Sequence, residues 1–127
     1  MQPRCGLWVL VGGLVLPTTG CYSSPEGFIN GAAKHGCIRI RECEGSRFDN
    51  QFDGDMGKCR DDQVDALEDA WDIAEDLGCE YLPDEGRECI AALRRNNREC
   101  SQDANEEIVA ECGATVLDPG LDYLDCG

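Results

Sequence analysis

Asp61-Asp62-Gln63-Val64-Asp65-Ala66-Leu67-Glu68-Asp69-Ala70-Trp71-Asp72-Ile73-Ala74-Glu75-Asp76-Leu77 is the stretch whose reading decides the fold. Val64, Leu67, Trp71, Ala74 and Leu77 recur at spacings of three and four, the period of one side of a helix, so the segment is expected to be helical with a narrow apolar stripe. Asp62, Asp65, Asp69, Asp72 and Asp76 repeat at the same spacing on another face. Eight acidic residues and no basic one lie between Asp61 and Asp76, and like charges three or four residues apart repel. A solvated face accounts for this arrangement. The sharper reading makes those five aspartates a candidate docking face for a basic protein partner. Gly78 supplies a left-handed stop.

Working outward toward the C-terminus, Asp84 can cap a helix that runs to about Asn96, with Cys89, Ile90, Ala92 and Leu93 turned inward. Arg87, Arg94 and Arg98 then line one side, and pairing with the acidic helix is the economical expectation for them. A further helix is expected from the capping-box spacing Asp103-Ala104-Asn105-Glu106 through Ile108, Val109 and Cys112 to Gly113. The tail, containing Asp118-Pro119-Gly120, reads as turns pinned by Cys126.

Toward the N-terminus, Ser24-Pro25-Glu26 offers an N-cap, a first-turn proline and a first-turn acid. Phe28, Ile29, Ala32, Ala33, Gly36, Cys37 and Ile40 fall on one side at helical spacing. Gly27, Gly31 and Gly36 weaken that helix and Ile38-Arg39-Ile40-Arg41 alternates like a strand, but helix is the reading adopted. Gly45, Asn50, Asp53-Gly54 and Gly57 punctuate residues 45 to 59, which read as an irregular acidic loop carrying Phe48 and Phe52. The expected fold class is all-α: a small disulfide-stapled bundle of three to four helices with that loop attached.

The loop invites a calcium test. A twelve-residue calcium loop starting at Asp49 would place Gln51, Asp53, Gly54 and Asp55 suitably, but its closing bidentate acid is replaced by Arg60. Turn chemistry explains the same residues without a metal, so no metal site is assigned.

Ten cysteines occur in 127 residues. Ahead of Cys21, Arg4 precedes the run Leu7-Trp8-Val9-Leu10-Val11-Gly12-Gly13-Leu14-Val15-Leu16, the pattern of a signal peptide, and ten helical residues would span only about 15 Å of a bilayer. Gly20-Cys21 resembles a bacterial lipoprotein cleavage site, although Thr18 stands where such sites usually have leucine. Removing residues 1–20 takes Cys5 away and leaves nine cysteines. Lipid on Cys21 would leave an even set of eight for four disulfides: Cys37, Cys43, Cys59, Cys79, Cys89, Cys100, Cys112 and Cys126. Cys59 and Cys79 flank one helix and would lie about 25 Å apart, too far to bridge. The same argument disfavours Cys89 with Cys100 and Cys100 with Cys112. The division expected is therefore a signal peptide at 1–20, a lipidated spacer at 21–27 and one cysteine-rich helical domain at 28–127.

Gly78-Cys79-Glu80-Tyr81-Leu82-Pro83, then Cys89-Ile90-Ala91-Ala92-Leu93 and Cys100, with Cys37 and Cys43 ahead of a phenylalanine-containing loop and Cys59, resembles the repeated-cysteine helical pattern of small predicted lipoproteins of myxobacteria and related deltaproteobacteria. The resemblance implies a cell-envelope location and no activity. The chain carries 26 acidic and 11 basic side chains, a formal net charge of −15, which disfavours nucleic acid and anionic lipid headgroups as partners. His35 is the only histidine. No Gly-x-Ser-x-Gly elbow, redox Cys-x-x-Cys or zinc-type cysteine spacing occurs, so neither an enzyme nor a cofactor is expected.

The reading carried forward is an exported envelope lipoprotein, held at the outer membrane through lipid on Cys21 and acting as a binding or structural module. Weak divalent-cation capture by the acidic surface and a secreted soluble protein without lipid are its alternatives.

Overall fold

The computed structural model describes residues 8–11, 14–17, 22–113 and 123–126. Two strands, β1 (Trp8–Val11) and β2 (Leu14–Pro17), form an antiparallel hairpin that pairs with no other described strand. The helical domain begins at α1 (Pro25–Cys43), where the Ser24 hydroxyl accepts the Gly27 N–H at 3.2 Å and Pro25 occupies the first turn. The strand-like alternation at Ile38–Arg41 is overridden because Cys37 and Ile40 are buried at helical spacing with Phe28, Ile29, Ala32 and Ala33.

Residues 45 to 59 depart from expectation. Gly45–Phe52 is a helix, α2, and α3 (Met56–Asp76) starts five residues before Asp61. Only Asp53 and Gly54, both left-handed at φ 55° and 68°, together with Asp55 interrupt the two helices. Phe48 and Phe52, one turn apart, are both buried, with ring centroids 6.2 Å apart. They close a second small core with Cys37, Ile40 and Cys59, and that burial turns a glycine-punctuated segment into helix. Asp55 caps α3, its carboxylate accepting the Gly57 and Lys58 N–H groups at 2.8 and 3.2 Å.

After α3, Gly78 at φ 80° reverses the chain, with Cys79 N–H donating to the Ala74 carbonyl at 2.9 Å. Strand β3 (Glu80–Tyr81) leads into α4 (Pro83–Asn96), which starts without a side-chain cap; Asp84 lies inside the first turn instead of before it. The Ser101 hydroxyl caps α5 (Gln102–Cys112), two residues ahead of the expected Asp103, and Gly113 ends it. Strand β4 (Leu124–Asp125) pairs antiparallel with β3, Glu80 opposite Asp125 and Tyr81 opposite Leu124. Asp118-Pro119-Gly120 lies outside the described residues.

The domain is thus helical, as expected; among the described residues there are five helices instead of three to four, no irregular loop at 45–59, and two short ladders added to an all-α plan.

Helix α1 is the hub, packing against α2, α3 and α4, while α5 packs on α4. Phe28, Ile29, Ala32, Ala33, Leu67, Ile90 and Leu93 form the main core, completed by Tyr123, whose ring lies 4.2 Å from that of Phe28. Four disulfides among the described residues cross-link the elements: Cys37–Cys59 joins α1 to α3, Cys89–Cys112 joins α4 to α5, Cys43–Cys100 ties the end of α1 to the α4–α5 connection, and Cys79–Cys126 pins the tail beside β3. None of the three pairs disfavoured by helix length forms.

Two glycines set close approaches. A Cβ at Gly86 would overlap the Tyr81 hydroxyl and sit 2.6 Å from its Cζ, so α4 accepts the Tyr81 ring only because residue 86 has no side chain. The seated hydroxyl donates to the Tyr22 carbonyl at 2.5 Å, and burial pushes its pKa up to about 12, with Arg87 partly opposing. Tyr22 in turn covers Gly31, where a Cβ would meet its Cε1 at 2.6 Å.

Gly86→Ala should therefore destabilise the domain by about 1–3 kcal/mol through overpacking. Gly36→Ala, with no atom within 4 Å of its added Cβ, should stabilise it by about 0.5–1 kcal/mol from helix propensity. Denaturant titration of both variants checks the pair; shifts of the same sign would contradict the packing described.

Candidate functional site: the outer face of the third helix

Helix α3 divides cleanly into an inner and an outer side. Cys59, Leu67 and Ala74 are buried, with Val64 and Trp71 packed at the margin of the core beside α1. On the other side Asp61, Asp62, Asp65, Glu68, Asp69, Asp72, Glu75 and Asp76 are all exposed, and none forms an ion pair with a described residue. The five aspartates of the candidate docking face lie along one stripe that rises about 21 Å from Asp62 to Asp76.

The arginines expected opposite this face are elsewhere. Helix α4 packs on α1 and α5, so its side chains meet α5. Arg87 pairs with Asp84 on its own helix, Arg95 pairs with Glu107 of α5 at 2.6 Å, and Arg94 and Arg98 pair with no described carboxylate. The Asn96 amide also donates to Glu107, at 2.7 Å, and these bonds from Asn96 and Arg95 hold the Glu107 carboxyl below its ordinary pKa. Among the described residues the acidic face is consequently without a paired cation.

The apolar stripe read from the sequence also ends early. Leu77 is 65% exposed, because the chain leaves the core after Ala74 to make the Gly78 turn. Ile73, which no periodicity argument singled out, is 58% exposed and borders the stripe between Asp69 and Asp76. One turn apart, Ile73 and Leu77 form an apolar pair edged by carboxylates. A large side chain exposed beside helix acids could have been found by noting that Ile73 sits off the Leu67/Ala74 line.

The acids tested as a calcium loop are accounted for by local structure. Asp49 lies within α2, Asp55 caps α3, and Asp53 pairs with Lys58 at 2.7 Å. The Lys58 hydrogen bond and charge lower the Asp53 pKa and raise that of Lys58 in return. Among the described residues no group of three or more histidine, cysteine or acidic side chains is placed to hold a metal ion, and no helix is long and apolar enough to cross a membrane. Cys21 lies outside the described residues.

A second polar site was not singled out from sequence. His35, the only histidine, is 7% exposed on α1, and its Nδ1 lies 3.1 Å from the Asn97 amide nitrogen at the end of α4. With the amide donating, the ring is neutral and carries its proton on Nε2. Burial, then the charges of Lys34, Arg94 and Arg60, lower the His35 pKa. No family model, curated protein or solved structure matches the chain.

The His35 shift has a sign. The unfolded imidazole takes a proton near pH 6.5, and the folded one only below that, so stability falls as pH drops from 6.5 toward the folded value. His35→Gln removes this contribution, and the stability of the wild type relative to the variant should decline between pH 7.5 and 5. Parallel unfolding free energies across that range would contradict it.

Proposed function

We propose that the protein is an exported, lipid-anchored bacterial envelope protein that works as a non-enzymatic binding module, docking a basic partner on the outer face of α3. The observation that carries this reading is the face itself: eight exposed carboxylates that pair with no cation among the described residues, edged by Ile73 and Leu77. Such a surface suits a cationic amphipathic segment, whose charges meet the aspartate stripe while its apolar side covers the isoleucine and leucine. Divalent-cation capture by charge density alone is the second reading. The apolar pair favours a protein partner, since it offers a cation nothing.

Disulfides support the exported location, because four of them persist only in an oxidising compartment. Parity supports the anchor. The eight cysteines from Cys37 to Cys126 pair among themselves, so in a product starting at Cys21 that residue is the odd one, available for acylation. A secreted protein without lipid would carry a spare thiol there. Loss of residues 1–20 would take β1 and β2 along, at no cost in strand pairing to the helical domain. Tyr22 is tied to the body through Tyr81 and Gly31, so a lipid on the preceding residue would hold the domain against the bilayer with little slack.

Two variants test the reading. Cys21→Ala should move the protein from the membrane to the soluble fraction; retention in the membrane would overturn the anchor. A synthetic amphipathic peptide of lysine and leucine should bind the wild-type domain. Asp65→Asn/Asp69→Asn/Asp72→Asn should weaken that binding at least about tenfold, from several ion pairs of up to ~1 kcal/mol each. Equal binding by both proteins would sink the docking face, and a melting temperature raised by millimolar calcium would favour cation capture instead.

A further inference from the structure

Ten cationic side chains follow residue 21. Arg41, Arg47, Lys58, Arg87 and Arg95 each meet a carboxylate. The other five, Lys34, Arg39, Arg60, Arg94 and Arg98, form no ion pair with any described residue, and three of them, Lys34, Arg60 and Arg94, lie close enough to the buried His35 imidazole to act on it.

Three constraints do the gathering. Lys34 precedes His35 on α1. The contact between His35 Nδ1 and the Asn97 amide brings the end of α4 to the same level, which carries Arg94, one turn earlier, and Arg98, the next residue. The Cys37–Cys59 disulfide, with α-carbons 6.0 Å apart, holds the first turn of α3 against α1 two residues beyond His35, which places Arg60 there. One turn along α1, Arg39 donates from Nη2 to the Glu99 carbonyl at 3.2 Å and to the Asn105 side-chain oxygen, both uncharged acceptors. Its Nε–H is buried without an acceptor among the described residues. Asp61 and Glu99 adjoin Arg60 and Arg98 in sequence, yet neither carboxylate pairs with them.

In a chain with 26 acidic side chains for 11 basic ones, cations should be the scarce partner and should be consumed first. Collecting the unpaired ones at one junction costs repulsion among them, and an anion bound there would reverse that cost. Burial, then the charges of Lys34, Arg94 and Arg60, lower the His35 pKa, as their placement beside it requires. Several converging positive charges favour a doubly charged ion over a single carboxylate, and the planar guanidinium fork suits its oxygens.

We propose that the junction of α1, α3 and α4 is a binding site for a free tetrahedral oxyanion of the sulfate or phosphate class, held by Lys34, Arg60 and Arg94 with Arg98 at its rim. The site lies apart from the aspartate stripe of α3 and does not rest on the docking reading.

The single histidine is a built-in reporter. Sulfate stays doubly charged across the titration range, so the imidazole resonances of the intact domain can be followed against pH with sulfate or chloride at matched ionic strength. Sulfate should raise the His35 midpoint by roughly half a unit or more, saturably, as a nearby opposite charge does. Lys34→Ala/Arg94→Ala should weaken the sulfate response at least about fivefold, the loss expected from two exposed ion pairs. Arg41→Ala, whose side chain is engaged with Glu42, should leave it unchanged. Equal responses to sulfate and chloride, or an unaltered sulfate response in the double variant, would overturn the site.

Discussion

The covalent tie between Cys37 and Cys59, both fully buried, is the constraint on which the arrangement depends, because it holds α3 against α1 despite the charge α3 carries. Along α3, eight pairs of carboxylates stand three or four residues apart. At ~0.2–0.5 kcal/mol each, they oppose the helix by about 2–4 kcal/mol before screening. The cross-link closes 22 residues and supplies about 3 kcal/mol in the chain-entropy picture, close to that opposing sum. Burial of Leu67 and Ala74, with the margins of Val64 and Trp71, then decides the balance in favour of helix. A face this acidic is tolerated because its opposite side is bonded as well as packed.

The other three disulfides extend the same logic to elements that lack apolar area of their own. Helix α5 buries only Ala104 and Cys112, and Cys89–Cys112 fastens it to α4. Cys43–Cys100 brings the α4–α5 connection to the end of α1, where Glu99 and Asn105 meet Arg39. Cys79–Cys126 holds the tail so that Tyr123 can stack on Phe28 and accept the Leu82 N–H at 2.8 Å. Among the described residues the result separates charge: carboxylates without ion pairs on the outer side of α3, cations without ion pairs beside His35.

Much of this was legible in the residues, for identifiable reasons. The Leu67, Trp71 and Ala74 period and the Gly78 stop are local signals, and they describe α3 and its end correctly. The start of α3 was missed because Gly57 and Asp53-Gly54 look like loop punctuation, whereas Asp55 acts as a cap and Gly57 lies in the first turn. Helix α2 was missed because two phenylalanines in eight residues are a weak periodic signal, and their burial depends on Cys37 and Cys59 from other segments. The arginines of α4 were assigned to the wrong partner, since periodicity shows which side of a helix is polar without showing which helix it faces. His35 carried no signal in isolation; its neighbours Asn97, Arg94 and Arg60 are assembled only by the fold. The reading of Cys21 still rests on its sequence context and on parity.

Charge separation and covalent stapling thus belong to one account, in which eight cysteines hold the domain and the proposed anchor takes Cys21. A non-reducing peptide map of the protein isolated from the cells that make it tests that account most directly. The account predicts an N-terminus at Cys21 carrying lipid, and linked peptides for Cys37–Cys59, Cys43–Cys100, Cys79–Cys126 and Cys89–Cys112 only. Cys21 found in a disulfide with any of the eight, or Cys37 and Cys59 linked to other partners, would contradict it.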